Sequence, residues 1–174
     1  LIGRLRSHVR LKDYPDHRSD WQRLARYSNE AMSRIRDRVG ESGRLPRDTL
    51  IAEIGSRMTD AQGAVLIGES GCGKSAVAKQ MANAPGAGTA VWLDGDVLDH
   101  SDMASVERRL GLQTPLLDLL AAVTAPQAIL VLDSVDRFST NALRRAADLL
   151  RGIGSGEAES PWKVLVTTAS HEWE

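Results

Sequence analysis

Residues 64–75 read AVLIGESGCGKS, and this stretch decides the fold class. Its first four residues are apolar and predict a short strand from Ala64 to Ile67. The next eight, Gly68 to Ser75, match the pattern G-x-x-x-x-G-K-[ST] at every fixed position. A helix is predicted from Ser75 to Asn83. The pattern therefore lies directly between a strand and a helix, which is the context in which it forms a phosphate-binding loop.

The chemistry of phosphate binding explains the fixed residues of the loop. Glycines at positions 68, 71 and 73 let consecutive backbone N–H groups turn inward toward phosphate oxygens. The following helix directs its positive N-terminal end at the same anion. Lys74 is expected to reach the β- and γ-phosphates, and the Ser75 hydroxyl is expected to coordinate Mg²⁺. The loop thus predicts that ATP or ADP is bound with Mg²⁺; a glycine-rich turn with an incidental lysine is the alternative.

The composition is that of an ordinary globular chain. It has 174 residues, of which 42% are hydrophobic and 26% charged, and this suits one domain with an appendage. No apolar run approaches the roughly 20 residues of a membrane helix, so no membrane partner is expected. The net charge is −1. Lys and Arg outnumber Asp and Glu in residues 1–60, but the excess is too small to predict nucleic-acid binding. A single cysteine excludes an internal disulfide and favours a cytoplasmic setting.

The chain is predicted to divide near residue 47. Residues 1–47 are expected to form a helical connector, and residues 48–174 the core. Because the chain begins with Leu1 rather than Met, we expect it to be part of a longer protein that continues the core.

A second helix is predicted from about Asp48 to Met58. The connector helix, from about Asp20 to Val39, is predicted from residues that recur at intervals of three and four: Trp21, Leu24, Ser28, Met32, Ile35 and Val39.

Strands and helices alternate from Ala61 onward. Further strands are predicted over 89–93, 128–132 and 163–166, and further helices over 101–110, 115–123 and 140–151. Thr114 is predicted to cap the helix that begins at Pro115. The last helix has an apolar stripe at positions 143, 147 and 150. This alternation predicts a three-layer α/β fold, with a parallel sheet between two layers of helices.

A second acidic element follows the predicted strand over 128–132. Asp133, at the end of this strand, is in the usual place for a carboxylate that holds Mg²⁺ through water. A carboxylate that caps a strand–helix turn is the alternative. Asp136 is the nearest further acid, and it is expected either to polarise the attacking water or to cap the next helix.

Three segments together resemble the STAND-class P-loop ATPases, the group that contains NACHT and NB-ARC domains. They are Gly68–Ser75 (Walker A), Leu130–Asp136 (Walker B) and Lys163–Thr168, and the resemblance covers about residues 48–170. It implies an ASCE-type sheet of order 5-1-4-3-2, with strand 5 missing from this chain. It also implies an ATP-binding switch or oligomerisation core in signal transduction or bacterial defence. Self-association through this core, and effector and sensor domains elsewhere in the protein, are further implications.

Two positions depart from the family pattern. Arg137 stands where the family often has an acid, and Ala169 stands where many members have an arginine that senses the γ-phosphate. Slow hydrolysis, or hydrolysis that needs a group from elsewhere, is therefore expected. Thr167 and Thr168 are candidates for contact with the γ-phosphate or its water; a simple preference for β structure at a strand end is the alternative.

The predicted site residues fall into three groups. Lys74, Asp133 and Asp136 are the catalytic candidates, and Ser75 and Asp133 are the candidate Mg²⁺ ligands. Hydrolysis would proceed by in-line attack of water on the γ-phosphorus. Contacts with the nucleotide are predicted at Gly68, Glu69, Ser70, Gly71, Cys72, Gly73, Lys74, Ser75, Ala76 and Thr168.

Two other functions remain open from the sequence. The segment Leu93–Asp96 is similar to one that binds the phosphoryl acceptor in adenylylsulfate kinases, which would make the protein a small-molecule kinase. A module that holds ATP or ADP without turnover is the second, and Arg137 and Ala169 favour it. An AAA+ motor would normally have Asp-Glu where Asp133 and Ser134 stand.

Overall fold

Helices and parallel strands alternate through the core. The computed structural model describes residues 16–36, 38–39, 43–44, 47–84, 88–154 and 160–170. A 3-10 turn spans Val135–Arg137, and two short strands, Arg38–Val39 and Gly43–Arg44, pair with each other. The strands of the main sheet are β1 (Gly63–Gly68), β2 (Thr89–Leu93), β3 (Ala128–Leu132) and β4 (Trp162–Ala169). The helices are α1 (Arg18–Ser33), α2 (Asp48–Asp60), α3 (Lys74–Ala82), α4 (Gly95–Leu98), α5 (Met103–Leu110), α6 (Leu116–Ala121) and α7 (Thr140–Gly154).

The four main strands are all parallel and lie in the order β1-β4-β3-β2. Leu66 pairs with Thr167, and Val166 pairs with Leu132, so the carboxyl ends of β1, β4 and β3 lie side by side. The predicted α/β class is confirmed, and so is the predicted relative order of these four strands.

Helices cover both faces of the sheet. On one face, Trp92, Val131 and Leu165 pack with apolar residues of α2 and α3. On the other face, Leu93 and Leu132 pack with apolar residues of α5, α6 and α7. The continuous apolar run of β3 thus fills both faces, as expected of a central parallel strand.

Helix α1 lies against β2, which is an edge strand of the sheet. The Ser28 hydroxyl, in the middle of α1, accepts a hydrogen bond from the Trp92 N–H at 3.0 Å. Leu24 packs in the core on one face of the sheet and Met32 in the core on the other. Ser28 therefore satisfies a backbone donor that an edge strand would otherwise leave unpaired.

The C-terminal end of α1 differs from the prediction. The helix ends at Ser33, whereas the apolar spacing extended it to Val39. The carbonyl of Ile35 accepts a hydrogen bond from Lys79 Nζ at 2.9 Å, and Val39 lies in a short strand instead. This tertiary hydrogen bond uses the Ile35 carbonyl, which would have accepted a helical hydrogen bond from the N–H of residue 39 if the helix had continued.

Two other predictions, a helix cap and a strand end, were also wrong. Thr114 does not cap α6: its hydroxyl lies 3.3 Å from His17 Nδ1, and the Leu116 N–H donates to Glu107 Oε1 at 2.7 Å. Strand β4 runs three residues beyond its predicted end at Val166, because pairing with β1 continues to Ala169. Residues 167 and 168 are therefore strand residues.

The predicted stripe on α7 lies on its exposed side. Leu143 and Leu150 are 49% and 37% exposed, whereas Ala142, Ala146 and Leu149 are buried. The helix has apolar residues on two adjacent stripes, and spacing alone does not choose between them. Two small alanines allow α7 to approach α4 closely, and this close packing selects the second stripe.

None of the helices in the described ranges is both long enough and apolar enough to span a lipid bilayer.

A buried carboxylate joins α1 to the segment before α6. Asp20 is 3% exposed and accepts hydrogen bonds from the N–H groups of Gln113 and Thr114 and from Arg23 Nη1, the shortest at 2.8 Å. Burial alone would raise the pKa of Asp20, but the hydrogen bonds from Thr114, Gln113 and Arg23 outweigh it and lower the pKa below its usual value. The ionised carboxylate is therefore the stabilising form.

We expect Asp20→Asn to lower the free energy of unfolding by about 2 kcal/mol at pH 7, because two backbone donors lose a charged acceptor. The lowered pKa means that the carboxylate contributes fully above the ordinary aspartate pKa and loses its effect as the pH falls through the lowered value. Urea denaturation at several pH values should show the two proteins converging in acid. Asp60→Asn, at an exposed carboxylate, is the matched control, and an equal loss there would contradict the assignment.

Candidate functional site

The site lies at the carboxyl end of the sheet, where β1 leads into α3. The loop between them contains two glycines in the left-handed region, Gly71 with φ 81° and Gly73 with φ 93°. Gly73 directly precedes the first residue of α3, Lys74. The predicted strand–loop–helix context of this segment is therefore present, and its glycines stand where the backbone needs them.

Arg47 holds the outer side of the loop. Its Nη1 donates to the carbonyl of Gly73 at 2.6 Å, and its Nη2 to the carbonyl of Cys72 at 3.4 Å. Because the C=O and the next N–H of a trans peptide point in opposite directions, the N–H groups of Gly73 and Lys74 face away from Arg47. A Cβ at Gly73 would clash with the guanidinium. Sequence reasoning missed Arg47, since an arginine before a helix carries no motif.

The Lys74 side chain folds back over the loop. Its Nζ donates to the carbonyls of Gly68 and Glu69 at 2.7 and 2.9 Å. Cys72 is exposed, and its Sγ lies 3.9 Å from the same ammonium. The ammonium thus lies against two loop carbonyls at the start of α3, and the positive N-terminal end of this helix favours an anion.

Asp133 connects the loop helix to two strands. The Ser75 hydroxyl at the start of α3 donates to Asp133 Oδ1 at 2.7 Å, and the Thr167 hydroxyl in β4 donates to the same oxygen at 2.7 Å. Thr167 Oγ1 in turn accepts from the Ser134 N–H at 2.7 Å. The two candidate Mg²⁺ ligands are therefore in contact, and a hydroxyl beside a carboxylate suits a cation that takes most of its ligands from water and phosphate.

Asp136 lies in the 3-10 turn after β3 and does not cap α7. Its Oδ1 accepts from the Ala169 N–H at 3.0 Å, while the Ser139 hydroxyl accepts from the Ala142 N–H near the start of α7. The helix-capping interpretation of Asp136 is thus wrong. The carboxylate instead joins the turn to the end of β4.

The two threonines of β4 point to opposite faces of the sheet, as successive strand residues must. Thr167 faces Asp133. Thr168 is 1% exposed, and its hydroxyl lies 3.5 Å from the carbonyl of Ala169. Of these two candidates, the structure brings Thr167 into the site and does not bring Thr168.

A cavity of about 260 Å³ joins the loop to the ends of β3 and β4. It is lined by loop residues predicted to contact the nucleotide, by Asp136 and by Ala169. Two arginines that were not assigned to the site, Arg36 and Arg137, also line it. The loop part of the lining is Ser70, Gly71, Gly73, Lys74, Ser75 and Ala76.

Asp94, after β2, serves a structural role. Its Oδ1 accepts from the Val97 N–H at 3.1 Å and so caps α4, and it accepts from the Tyr27 hydroxyl at 2.6 Å. Burial and the neighbouring Asp94 carboxylate raise the pKa of Tyr27 above its usual value. These bonds use one oxygen of the Asp94 carboxylate, which belongs to the segment that the kinase interpretation would assign to an acceptor substrate.

No protein-family model matches this chain, and no curated protein matches it in sequence.

Thr167→Val should lower the free energy of unfolding by about 1–3 kcal/mol, because the half-buried Ser134 N–H loses its acceptor and Asp133 loses a donor. Thr168→Val, which makes the same change one residue later, should alter stability by less than about 0.5 kcal/mol. Urea denaturation of both variants provides the measurement. Similar losses in the two variants would contradict the role assigned to the Thr167 hydroxyl.

Proposed function

We propose that this chain binds ATP or ADP together with Mg²⁺ in the loop of residues 68–75. The observation that carries the proposal is the 2.7 Å contact between Ser75 Oγ and Asp133 Oδ1, beside a loop whose Gly73 and Lys74 N–H groups face away from Arg47. A phosphate chain in this space would receive backbone donors, an ammonium and the N-terminal end of α3.

Lys74 has a specific part in this proposal. Its ammonium donates to two loop carbonyls, and phosphate oxygens are stronger acceptors because they are charged. The β- and γ-phosphates would therefore replace one or both carbonyls as partners. Asp133 and the Ser75 hydroxyl would hold Mg²⁺, with water between the metal and the carboxylate.

The cation would neutralise charge on the phosphates. Asp136, which lines the same cavity, is the candidate group for polarising the attacking water.

We propose further that the chain is the nucleotide-binding core of a STAND-type switch protein. The strand order β1-β4-β3-β2 supports this, because it leaves one side of β1 unpaired within the described residues, where the fifth strand of the order 5-1-4-3-2 would lie. Val65 and Ile67 of β1 are 41% and 46% exposed, and a groove of about 450 Å³ separates β1 from α2. The proposal includes effector and sensor domains elsewhere in the protein and self-association through this core.

A module that holds the nucleotide without turnover is the second candidate. One observation favours it: the Asp136 carboxylate already accepts a hydrogen bond from the Ala169 N–H, which leaves it fewer lone pairs for an attacking water. Release of inorganic phosphate separates the two candidates.

Lys74→Ala should weaken binding of ATP–Mg²⁺ about a hundredfold, because it removes up to two charge-assisted hydrogen bonds to phosphate. Isothermal titration calorimetry at fixed salt concentration measures this. Lys163→Ala is the matched control: that ammonium donates to the carbonyls of Thr59 and Ala61 at the opposite end of the sheet. If the wild-type chain binds ATP and Lys74→Ala binds it equally well, the loop assignment fails.

Asp136→Asn should lower phosphate release from ATP about a hundredfold and leave ATP affinity nearly unchanged, because the amide cannot act as a base. The amide oxygen can still accept from the Ala169 N–H, so the turn should persist. Single-turnover phosphate release, with Asp60→Asn as the control, measures the effect. A wild-type chain that binds ATP without releasing phosphate would support the holding module, and transfer of phosphate to a small acceptor would support the kinase.

A further inference from the structure

We propose that Arg137 contacts the γ-phosphate and so makes the site distinguish ATP from ADP. This inference rests on the proposed nucleotide binding and concerns the selectivity of that same site. Arg137 ends the 3-10 turn after β3 and lines the 260 Å³ cavity together with Lys74 and Ser75.

The charges around the cavity favour an anion at its Arg137 side. Lys74, Arg36 and Arg137 line the cavity, and Asp136 is the acid that lines it with them. The Arg137 guanidinium lies 3.9 Å from Asp136 Oδ2 through its Nε, which is at the outer limit of an ion pair. Its side chain is 74% exposed, so this contact costs little to exchange for a phosphate. A doubly charged phosphate oxygen group is a better partner for a guanidinium than a distant carboxylate.

The backbone below Arg137 is held firmly in place. Ser134 adopts the left-handed conformation with φ 59°, and its N–H donates to Thr167 Oγ1. The Arg137 N–H donates to the carbonyl of Ser134 at 2.9 Å, and Asp136 joins the turn to Ala169 at the end of β4. A long cationic side chain therefore starts from a fixed point beside the site.

Arg137 is better placed than the other arginine of the cavity. Both are at exposed positions, but Arg36 follows the end of α1, whereas Arg137 is one residue from a carboxylate bonded to the core sheet. The end of β4 itself provides no cation, since Ala169 stands there. Of the two arginines that line the cavity, Arg137 is thus the one carried by a turn that is hydrogen-bonded to the core sheet.

A guanidinium can donate two parallel hydrogen bonds to one phosphate group, and an ammonium cannot. ADP lacks the group that Arg137 would contact. Arg137 should consequently strengthen ATP binding and leave ADP binding almost unchanged, whereas Lys74 and the loop N–H groups should serve both nucleotides.

The test is calorimetric titration of the chain, in the presence of Mg²⁺, with ADP and with the β,γ-imido analogue of ATP. Arg137→Ala should weaken binding of the analogue tenfold or more and that of ADP less than twofold. Arg137→Lys should lie between Arg137→Ala and the wild type. Arg144→Ala, at an exposed position on α7, is the matched control and should change neither affinity.

The outcomes separate this inference from the proposed function. A wild-type chain that binds neither nucleotide would overturn both. A wild-type chain that binds both nucleotides, with Arg137→Ala leaving the ratio of the two affinities unchanged, would overturn the role of Arg137 alone. Arg137→Gln, which keeps the length and polarity of the side chain, tests the same point if the alanine variant is unstable.

Discussion

The hydrogen bonds to Asp133 Oδ1 unite the site. Two hydroxyls donate to this oxygen, one from Ser75 at the start of α3 and one from Thr167 in β4, while Asp133 itself follows β3. Three separate elements are thereby brought together at one atom. A carboxylate accepts bonds without rearranging its own charge, so it can hold two donors and still present its second oxygen to a cation. The site depends on this junction because each predicted role requires these elements to stay in register.

Parallel pairing is what makes the junction possible. The carboxyl ends of parallel strands meet at one edge of the sheet, and the central position of β4 places Thr167 between the loop strand and the strand of Asp133. Ligand sites in open α/β sheets commonly form at this edge. The same edge gathers the turn that bears Asp136 and Arg137, so positive and negative groups from distant parts of the chain line one cavity.

Helix α1 shows how the connector contributes to the core. Its Ser28 satisfies the edge of β2, and its Asp20 accepts hydrogen bonds from the segment before α6. Both side chains are polar and buried; the spacing placed Ser28 on the packed stripe, but a hydrophobic pattern does not give the hydrogen-bond partner of either side chain. The stripe predicted the helix, but its end depends on Lys79, which takes the carbonyl of Ile35.

Local pattern determined the strand–loop–helix unit and the candidate residues Lys74, Ser75 and Asp133, because each of these follows from spacing within a few positions. The alternation of strands and helices from Ala61 onward determined the α/β class. Tertiary structure decided the rest. Arg47 and Arg36 reach the site only through folding, the choice between Thr167 and Thr168 depends on strand register, and the buried side of α7 depends on close packing against α4. These features arise from contacts between residues far apart in the chain, and periodicity within one segment carries no information about them.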